Sequence, residues 1–232
     1  MNKTFIILEA GHNGNGNMRL NKLLIEEAKN VGADAVKFQL YNTDKIKKAW
    51  QSRYMELKMA ELTREDLIEL KKHADKIGIE LFASAFDPER VQWLEAIGVL
   101  RHKLASRSVF DKELILAMEK TGKPIIVSLG AWKNKDLPKI KNAQFLYCVS
   151  EYPAYITSDM FPTRFDKYGG FSDHTQNMYW AREAIKRGAK IIEKHFTLNK
   201  ELPGHDQKGS CEPFEAKDFI QFVRQNERGI KF

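Results

Sequence analysis

Short apolar runs rich in Ile, Val and Phe alternate along the chain with longer stretches in which apolar residues recur at every third or fourth position. The short runs predict buried strands, and the longer stretches predict amphipathic helices. Strands are predicted at Phe5–Gly11, Ala35–Leu40, Glu80–Phe86, Arg101–Ser106, Pro124–Gly130, Phe145–Ser150, Gly170–His174 and Lys190–Thr197. Their alternation with helices favours a parallel sheet.

Helices are predicted between most of the strands, and one closes the chain. They cover Met18–Val31, Thr63–Ile77, Pro88–Ile97, Asp111–Thr121, Tyr179–Arg187 and Phe214–Arg228, with an additional helical segment at Trp50–Leu62. The connections after the fifth and sixth strands are short, so stunted helices are expected there. Glycines that follow a helix and precede a strand predict left-handed caps at Gly32, Gly78, Gly98, Gly122 and Gly188. The pattern favours an α/β (β/α)8 TIM barrel, one domain over residues 1–232.

Composition narrows the class of protein. The 232 residues are 43% hydrophobic and 30% charged, which is typical of a soluble globular chain. No apolar run approaches the roughly 20 residues of a membrane span, and residues 1–10 lack a signal-peptide layout. Two cysteines favour a reducing, cytoplasmic location. The net charge is +7, but the lysines and arginines are mixed with acidic residues along the chain and form no basic stripe. We therefore expect no nucleic-acid or membrane partner and favour an anionic small substrate.

Polar residues recur at every second position late in six of the predicted strands. They are Glu9, Lys37, Gln39, Lys103, Ser150, Tyr152, Ser172, His174, Glu193 and His195. Catalytic groups of a parallel barrel sit at the C-terminal ends of its strands, where side chains alternate between inside and outside. A barrel interior without a function would hold Val, Ile or Leu instead of Lys, Glu and His. The alternation therefore predicts an active site at the C-terminal mouth.

Two of these residues, His174 and His195, end neighbouring strands at equivalent depth. Two imidazoles there can bind a divalent transition metal and leave positions open for water and a substrate oxygen. Two histidines alone do not define a metal site, but Asp173, Glu193 and Asp206 lie nearby in the sequence as further ligands or their hydrogen-bond partners.

The inward lysines, Lys37 and Lys103, require anionic partners. Phosphate and carboxylate groups of a ligand meet that need, as do Glu9 and Glu193 when the site is empty. The residues alone thus predict a metal-assisted reaction on an anionic small molecule.

Nine segments give the sequence a family resemblance over Phe5–Pro213. They read ILEAGHNGNG, GADAVKFQ, LFASAFD, HKLAS, TGKPIIVSLG, CVSEYPA, GFSDHT, IIEKHFT and LPGHDQKGSCEP. With these segments the chain resembles the sialic acid (N-acetylneuraminate) synthase family, which includes the legionaminic and pseudaminic acid synthases.

The resemblance implies roles for individual residues. His174 and His195 would bind the metal, with Mn²⁺ the usual ion and Mg²⁺ or Co²⁺ as alternatives. The residues implied to hold phosphoenolpyruvate are Lys37, Lys103, Ser106, Ser150, Ser172 and Glu193. Those implied to contact an N-acetylhexosamine acceptor are Glu9, Gln39, Tyr152 and Asp206. Among these, Glu9, Lys37, Lys103 and Glu193 are the expected catalytic groups. In the implied aldol-type reaction, C3 of phosphoenolpyruvate attacks the sugar aldehyde, water attacks C2, and phosphate leaves with C–O cleavage.

Departures from the family pattern concern the acceptor side. Gly14 stands where the family has His, and Arg107-Ser108 stands where it has Gly-Glu, so an active-site carboxylate is missing. We also expect neither the N-terminal hairpin nor the C-terminal antifreeze-like domain. The expected partners are phosphoenolpyruvate and an amino-sugar aldehyde, with a homodimer or a separate antifreeze-like protein in trans as further options. Two alternatives stay open: another phosphoenolpyruvate–sugar synthase, and a non-catalytic or partner-dependent barrel. His102 is expected on the surface of its strand.

Overall fold

The strands form a closed parallel barrel in the computed structural model, which describes residues 3–229. Within that range the eight strands are β1 (Phe5–Gly11), β2 (Ala35–Leu40), β3 (Glu80–Ala85), β4 (His102–Leu104), β5 (Ile125–Ser128), β6 (Ala143–Cys148), β7 (Gly170–Asp173) and β8 (Ile191–His195). They follow one another in chain order, and β8 pairs with β1 to close the ring. The predicted TIM barrel is confirmed over the described part of the 1–232 domain, whose outermost residues 1–2 and 230–232 lie outside it.

The helices lie between the strands except in one sector. They are α1 (Met18–Asn30), α2 (Thr43–Ile46), α3 (Tyr54–Ala60), α4 (Arg64–Ile77), α5 (Pro88–Ala96), α6 (Lys112–Glu119), α7 (Tyr179–Lys186) and α8 (Pro213–Glu227). The helical segment predicted at Trp50–Leu62 starts too early, because the helix in this region, α3, begins only at Tyr54. The short helix α2 that precedes it was not predicted. The described connections β5–β6 and β6–β7 contain no α-helix at all, where stunted helices were expected.

Helix ends follow the sequence signals closely. Thr63 and Asp66 form a reciprocal capping box at the start of α4, in which each side chain accepts from the other residue's backbone N–H at 3.1 and 2.9 Å. The same helix ends at Gly78, whose φ of 74° places it in the left-handed region. All five predicted cap glycines adopt positive φ.

The core lies mainly between the strands and the helices. On β1, Ile6 and Leu8 are buried in the same apolar cluster as Leu24 and Ile25 of α1. Glu9 has the opposite parity, is 2% exposed and lines a cavity inside the barrel. Period-two alternation thus gives the helices the apolar face of β1, while its inward face is apolar at Ile7 and becomes polar at Glu9, toward the C-terminal end.

One surface prediction is wrong. His102 of β4 is fully buried, because its strand is covered on the outside by α5. The His102 Nε2 lies 2.9 Å from a carboxylate oxygen of Glu95, a residue of that helix. A polar partner on the covering helix therefore replaces the solvent that the sequence suggested.

No helix in residues 3–229 is long and apolar enough to cross a membrane.

Candidate active site

Strand register brings the polar side chains to one end of the barrel. Glu9 on β1 lies opposite Lys37 on β2 and His195 on β8. Further register pairs place more of these side chains at the same end of the barrel, namely Gln39 with Ser84, Ser84 with Lys103, and Ser172 with Glu193. Because parallel strands align their C-terminal ends, these groups converge on a single cavity.

The first lysine is neutralised within the barrel. Lys37 forms an ion pair with Glu9 and donates from Nζ to the Ser84 hydroxyl at 2.9 Å. Gln39 donates from Nε2 to the other Glu9 oxygen at 3.0 Å. Lys37 and Glu9 are each 2% exposed, so their charges depend on one another when no ligand is bound.

The second lysine lines the same cavity from β4, two strands along the ring. Lys103 donates from Nζ to the Ser128 hydroxyl at 2.8 Å, and its ammonium lies 3.7 Å from Oε1 of Glu193. Ser172 donates to that oxygen at 3.0 Å, whereas Oε2 of Glu193 has no hydrogen-bond partner among residues 3–229. Burial opposes ionisation of Glu193, but Lys103 and Lys37 outweigh it and hold the pKa of this carboxyl at about 2. Burial lowers the pKa of Lys103.

Two serine hydroxyls meet beside these pairs. Ser106 Oγ lies 2.6 Å from Ser150 Oγ and accepts from the backbone N–H of Ala131 at 2.7 Å. Gly130 makes this approach feasible, because a Cβ there would lie 2.3 Å from Ser150 Oγ. The predicted strand position of Ser150 is wrong: β6 ends at Cys148, and the serine belongs to the following loop.

The two histidines have distinct surroundings. His174 Nδ1 lies 2.8 Å from the Val149 carbonyl, so it is the protonated nitrogen, and Nε2 accepts from the Tyr152 hydroxyl at 3.0 Å. Burial and the neighbouring His195 lower the pKa of His174 to about 3, which keeps the ring neutral. Tyr152 stacks on that ring at 4.1 Å, and burial raises the pKa of its phenol, which therefore stays a donor. Like Ser150, it lies in the loop after β6 and not on the strand.

The imidazole pair suits an open metal site. The rings of His174 and His195 are 5.7 Å apart between centroids. The fixed Nδ1–H of His174 makes Nε2 the acceptor nitrogen, which takes the Tyr152 hydroxyl, and a cation bound to this ring would replace that hydrogen bond. Nδ1 of His195 is buried without a hydrogen-bond partner in the described chain. No group of three or more His, Cys, Asp or Glu in residues 3–229 is arranged to hold a metal. The residues therefore fit a site with two protein nitrogens and positions for water and substrate oxygens.

Asp206 lies in an outer chamber, in the loop that follows β8. Its Oδ2 is 3.9 Å from His195 Nδ1. This outer cavity is lined by Tyr152, Pro153, His174, Gln176, His195, His205, Asp206, Lys208 and Gly209. It shares three lining residues, Tyr152, His174 and His195, with the inner cavity of the lysines. The imidazole pair thus stands between two adjoining chambers.

Ten of the twelve residues predicted from the sequence line the inner cavity. The exceptions are Asp206, in the outer chamber, and Ser150, which reaches the inner one through Ser106. Sequence reasoning missed Ser84 and Ser128, the hydroxyl partners of the two lysines. Both occupy late inward positions on their strands, so the same alternation rule would have found them.

The fold and the site define a TIM-barrel enzyme whose interior is lined by buried lysines, carboxylates and two imidazoles. Residues 24–231 match the NeuB family, and the chain belongs to it.

Named relatives and one solved structure agree with that family. The chain is 37% identical over 242 residues to "Uncharacterized protein MJ1065" of Methanocaldococcus jannaschii, covering 97% of the chain and 71% of the relative. It is 33% identical over 259 residues to the N,N'-diacetyllegionaminic acid synthase of Legionella pneumophila, covering 96% and 72%. The structure of N-acetylneuraminic acid synthetase from Leptospira borgpetersenii superposes with a TM-score of 0.87 at 29% identity, covering 100% of this chain and 86% of that one.

Proposed function

We propose that the protein condenses phosphoenolpyruvate with the open-chain aldehyde of an N-acetylhexosamine-type amino sugar. The products are a nonulosonic acid and inorganic phosphate. The observation that carries the proposal is the pair of buried lysines, Lys37 and Lys103, facing one small cavity beside two imidazoles. The names of the relatives, which include legionaminic and pseudaminic acid synthases, support the same chemistry.

The inner cavity is assigned to phosphoenolpyruvate. Its phosphate and carboxylate would take the ammonium groups of Lys37 and Lys103, which now face Glu9 and Glu193. The remaining donors are the hydroxyls of Ser106, Ser150 and Ser172. Charge-assisted hydrogen bonds of this kind are strong in a cavity that excludes water.

The acceptor is assigned to the outer chamber and its border with the inner one. Glu9 and Gln39 line the inner cavity, Asp206 lines the outer chamber, and Tyr152 lines both. C3 of phosphoenolpyruvate then bonds to the aldehyde carbon, water adds to C2, and phosphate leaves with its bridging oxygen. The Tyr152 hydroxyl stays protonated in its surroundings and can donate to an acceptor oxygen.

His174 and His195 would hold a divalent cation, with Mn²⁺ the leading candidate and Mg²⁺ or Co²⁺ as alternatives. When bound there, the cation polarises the aldehyde oxygen toward attack. His174 contributes a neutral ring whose tautomer is set by the Val149 carbonyl.

The test is phosphate release from phosphoenolpyruvate with Mn²⁺ across a panel of N-acetylhexosamines. We expect release only when phosphoenolpyruvate, an acceptor and the metal are all present. Phosphoenolpyruvate binding without release for any acceptor would contradict the proposal and favour the non-catalytic alternative.

The cellular location of the protein and its protein partners are also proposals. The reaction would take place in the cytoplasm, consistent with the two free cysteines, Cys148 and Cys211. A homodimer or a separate antifreeze-like protein in trans would complete the acceptor side. If the separate protein does so, adding it to the assay should raise the rate of phosphate release.

A further inference from the structure

The loop after β1 holds a buried imidazole that lines neither chamber of the active site. His12 is 6% exposed, and its Nε2 lies 3.5 Å from Oε1 of Glu56 and 3.7 Å from Oδ2 of Asp206. Arg53 Nη2 lies 3.3 Å from the same nitrogen. His12 therefore meets the active site only through the residues around it.

Asp206 lies between two imidazoles. Its Oδ2 faces His195 on the chamber side at 3.9 Å and His12 on the protein side at 3.7 Å. Its Oδ1 lies 3.9 Å from Arg53 Nη2. The carboxylate is thus held from behind by a group that cannot itself touch a ligand in either chamber.

The support behind Asp206 is anchored on a different part of the chain. Arg53 contacts Glu56 through both Nε and Nη2 at 3.2 Å, and the backbone N–H of His205 donates to Glu56 at 3.0 Å. Arg53 adopts a φ of 67°, a left-handed conformation that is unfavourable for a residue other than glycine. The cluster therefore ties α3 to the loop that carries Asp206.

The charges in the cluster agree with this arrangement. Burial alone would lower the pKa of His12, but the hydrogen bond with Glu56 and the charge of Asp206 raise it above its ordinary value. The imidazole and the Asp206 carboxylate are thus of complementary charge at 3.7 Å.

We propose that His12 is a positioning residue for the acceptor: with Arg53 it fixes the Asp206 carboxylate at the wall of the outer chamber. This inference rests on the proposed function of that chamber. Removing the imidazole frees Asp206 to turn away, so acceptor binding weakens, whereas the inner cavity and its lysines are untouched.

The test compares His12→Leu with His12→Gln, whose side-chain amide can replace the polar contacts of Nε2 with Asp206 and Arg53. We expect His12→Leu to raise KM for the best N-acetylhexosamine of the panel about tenfold, with kcat and the Kd of phosphoenolpyruvate changed less than about twofold. His12→Gln should restore KM to within about threefold of the wild type. His73→Leu is the matched control, because His73 pairs with Glu26 on the outer helices at 2.9 Å.

An unchanged acceptor KM in His12→Leu overturns the proposal, as does an equal loss of phosphoenolpyruvate binding or a loss in His12→Gln as large as in His12→Leu. If His12→Leu does not fold, Arg53→Met replaces it with the same expected and contradicting results.

A failure of the proposed function is recognisable separately, because the wild type would then release no phosphate with any acceptor. In that case a crystal structure of His12→Leu decides the positioning role. Asp206 should move away from His195 relative to the wild type, and an unmoved carboxylate contradicts it.

Discussion

At the scale of single residues, a buried ammonium group needs an anion close by. Lys37 and Lys103 have one each, Glu9 and Glu193. The parity of late strand positions named these two glutamates as partners in the empty site, but it did not assign which lysine each one meets. What it could not predict is the His12 cluster, because Asp206 and His12 are 194 positions apart and only the closed barrel brings them together. Alternation predicts which side chains face inward, but not which loop residues meet.

Replacing Lys103 by Met keeps most of its volume and removes its charge. Losing a buried charge-assisted contact typically costs about 2–5 kcal/mol, so the Kd of phosphoenolpyruvate should rise roughly thirtyfold to several-thousandfold. Calorimetry measures it, with Lys72→Met on the exposed face of α4 as the control. An unchanged Kd would mean that the ligand does not meet this lysine.

Removing one imidazole of the pair tests the metal assignment. His195→Ala should abolish Mn²⁺ binding in calorimetry while the barrel still folds, because the ring lies at a cleft and not in the apolar core. His73→Ala on the outer helices serves as the control. Equal Mn²⁺ affinity in His195→Ala and the wild type would refute the assignment.

At the scale of single elements, the sequence predicted some ends of strands and helices more accurately than others. The start of α4 was predicted to within one residue, Thr63 against Arg64, because a capping box is a local signal. The end of β6 was predicted two residues too late. Pairing with β7 stops at Cys148 opposite Ser172, although period-two alternation continues to Ser150. The end of a strand depends on where pairing with its neighbour stops, and that information lies elsewhere in the chain.

Adding a methyl group at Gly130 tests the loop that follows β5. The new Cβ would lie 2.3 Å from Ser150 Oγ and 2.9 Å from its backbone nitrogen, so Ser106 and Ser150 must separate. We expect Gly130→Ala to weaken phosphoenolpyruvate binding and to lower the free energy of unfolding by about 1–3 kcal/mol. The control is Gly169→Ala, where the nearest atom would be 3.7 Å away. If Gly130→Ala binds phosphoenolpyruvate as the wild type does, the loop accommodates the methyl group without disturbing the ligand site, and the prediction is wrong.

Removing the capping hydroxyl of α4 should affect stability alone. Thr63→Ala leaves the N–H of Asp66 without its side-chain acceptor, which typically costs about 1 kcal/mol. Chemical denaturation measures the loss, and phosphate release at 25 °C should stay at the wild-type rate. A changed KM for phosphoenolpyruvate would contradict a purely structural role.

At the scale of the whole molecule, the barrel was predictable because each strand is a compact apolar run between polar loops. The gaps in its outer layer were harder to predict. The connection of residues 149–169 was expected to be short, but it is long enough for a helix. It is nevertheless irregular, and its contacts include the donation of the Tyr147 hydroxyl to the Met160 carbonyl at 2.8 Å. Strand periodicity therefore determines the barrel, whereas side-chain bonds to loop carbonyls depend on the folded chain.

The stability of the whole fold should depend on pH through His102. Burial lowers the pKa of this imidazole more than Glu95 raises it, so the unfolded chain binds the proton more readily. The stabilisation is present above the unfolded pKa of about 6.5 and is lost as the pH falls below it. Between pH 7 and pH 5 the free energy of unfolding should thus fall more steeply for the wild type than for His102→Gln. Parallel curves would show that His102 makes no contribution.

The helix-free connection between β5 and β6 gives the barrel a seam. Residues 133–136 within it are exposed and belong to no strand or helix. A chain cut there is divided into one fragment with five strands and another with three, and no strand or helix is severed. Each fragment ends in open strand edges that complement those of the other, at β5 with β6 and at β8 with β1. The barrel is therefore suited to fragment complementation, in which two separately made polypeptides regain the closed ring only on meeting.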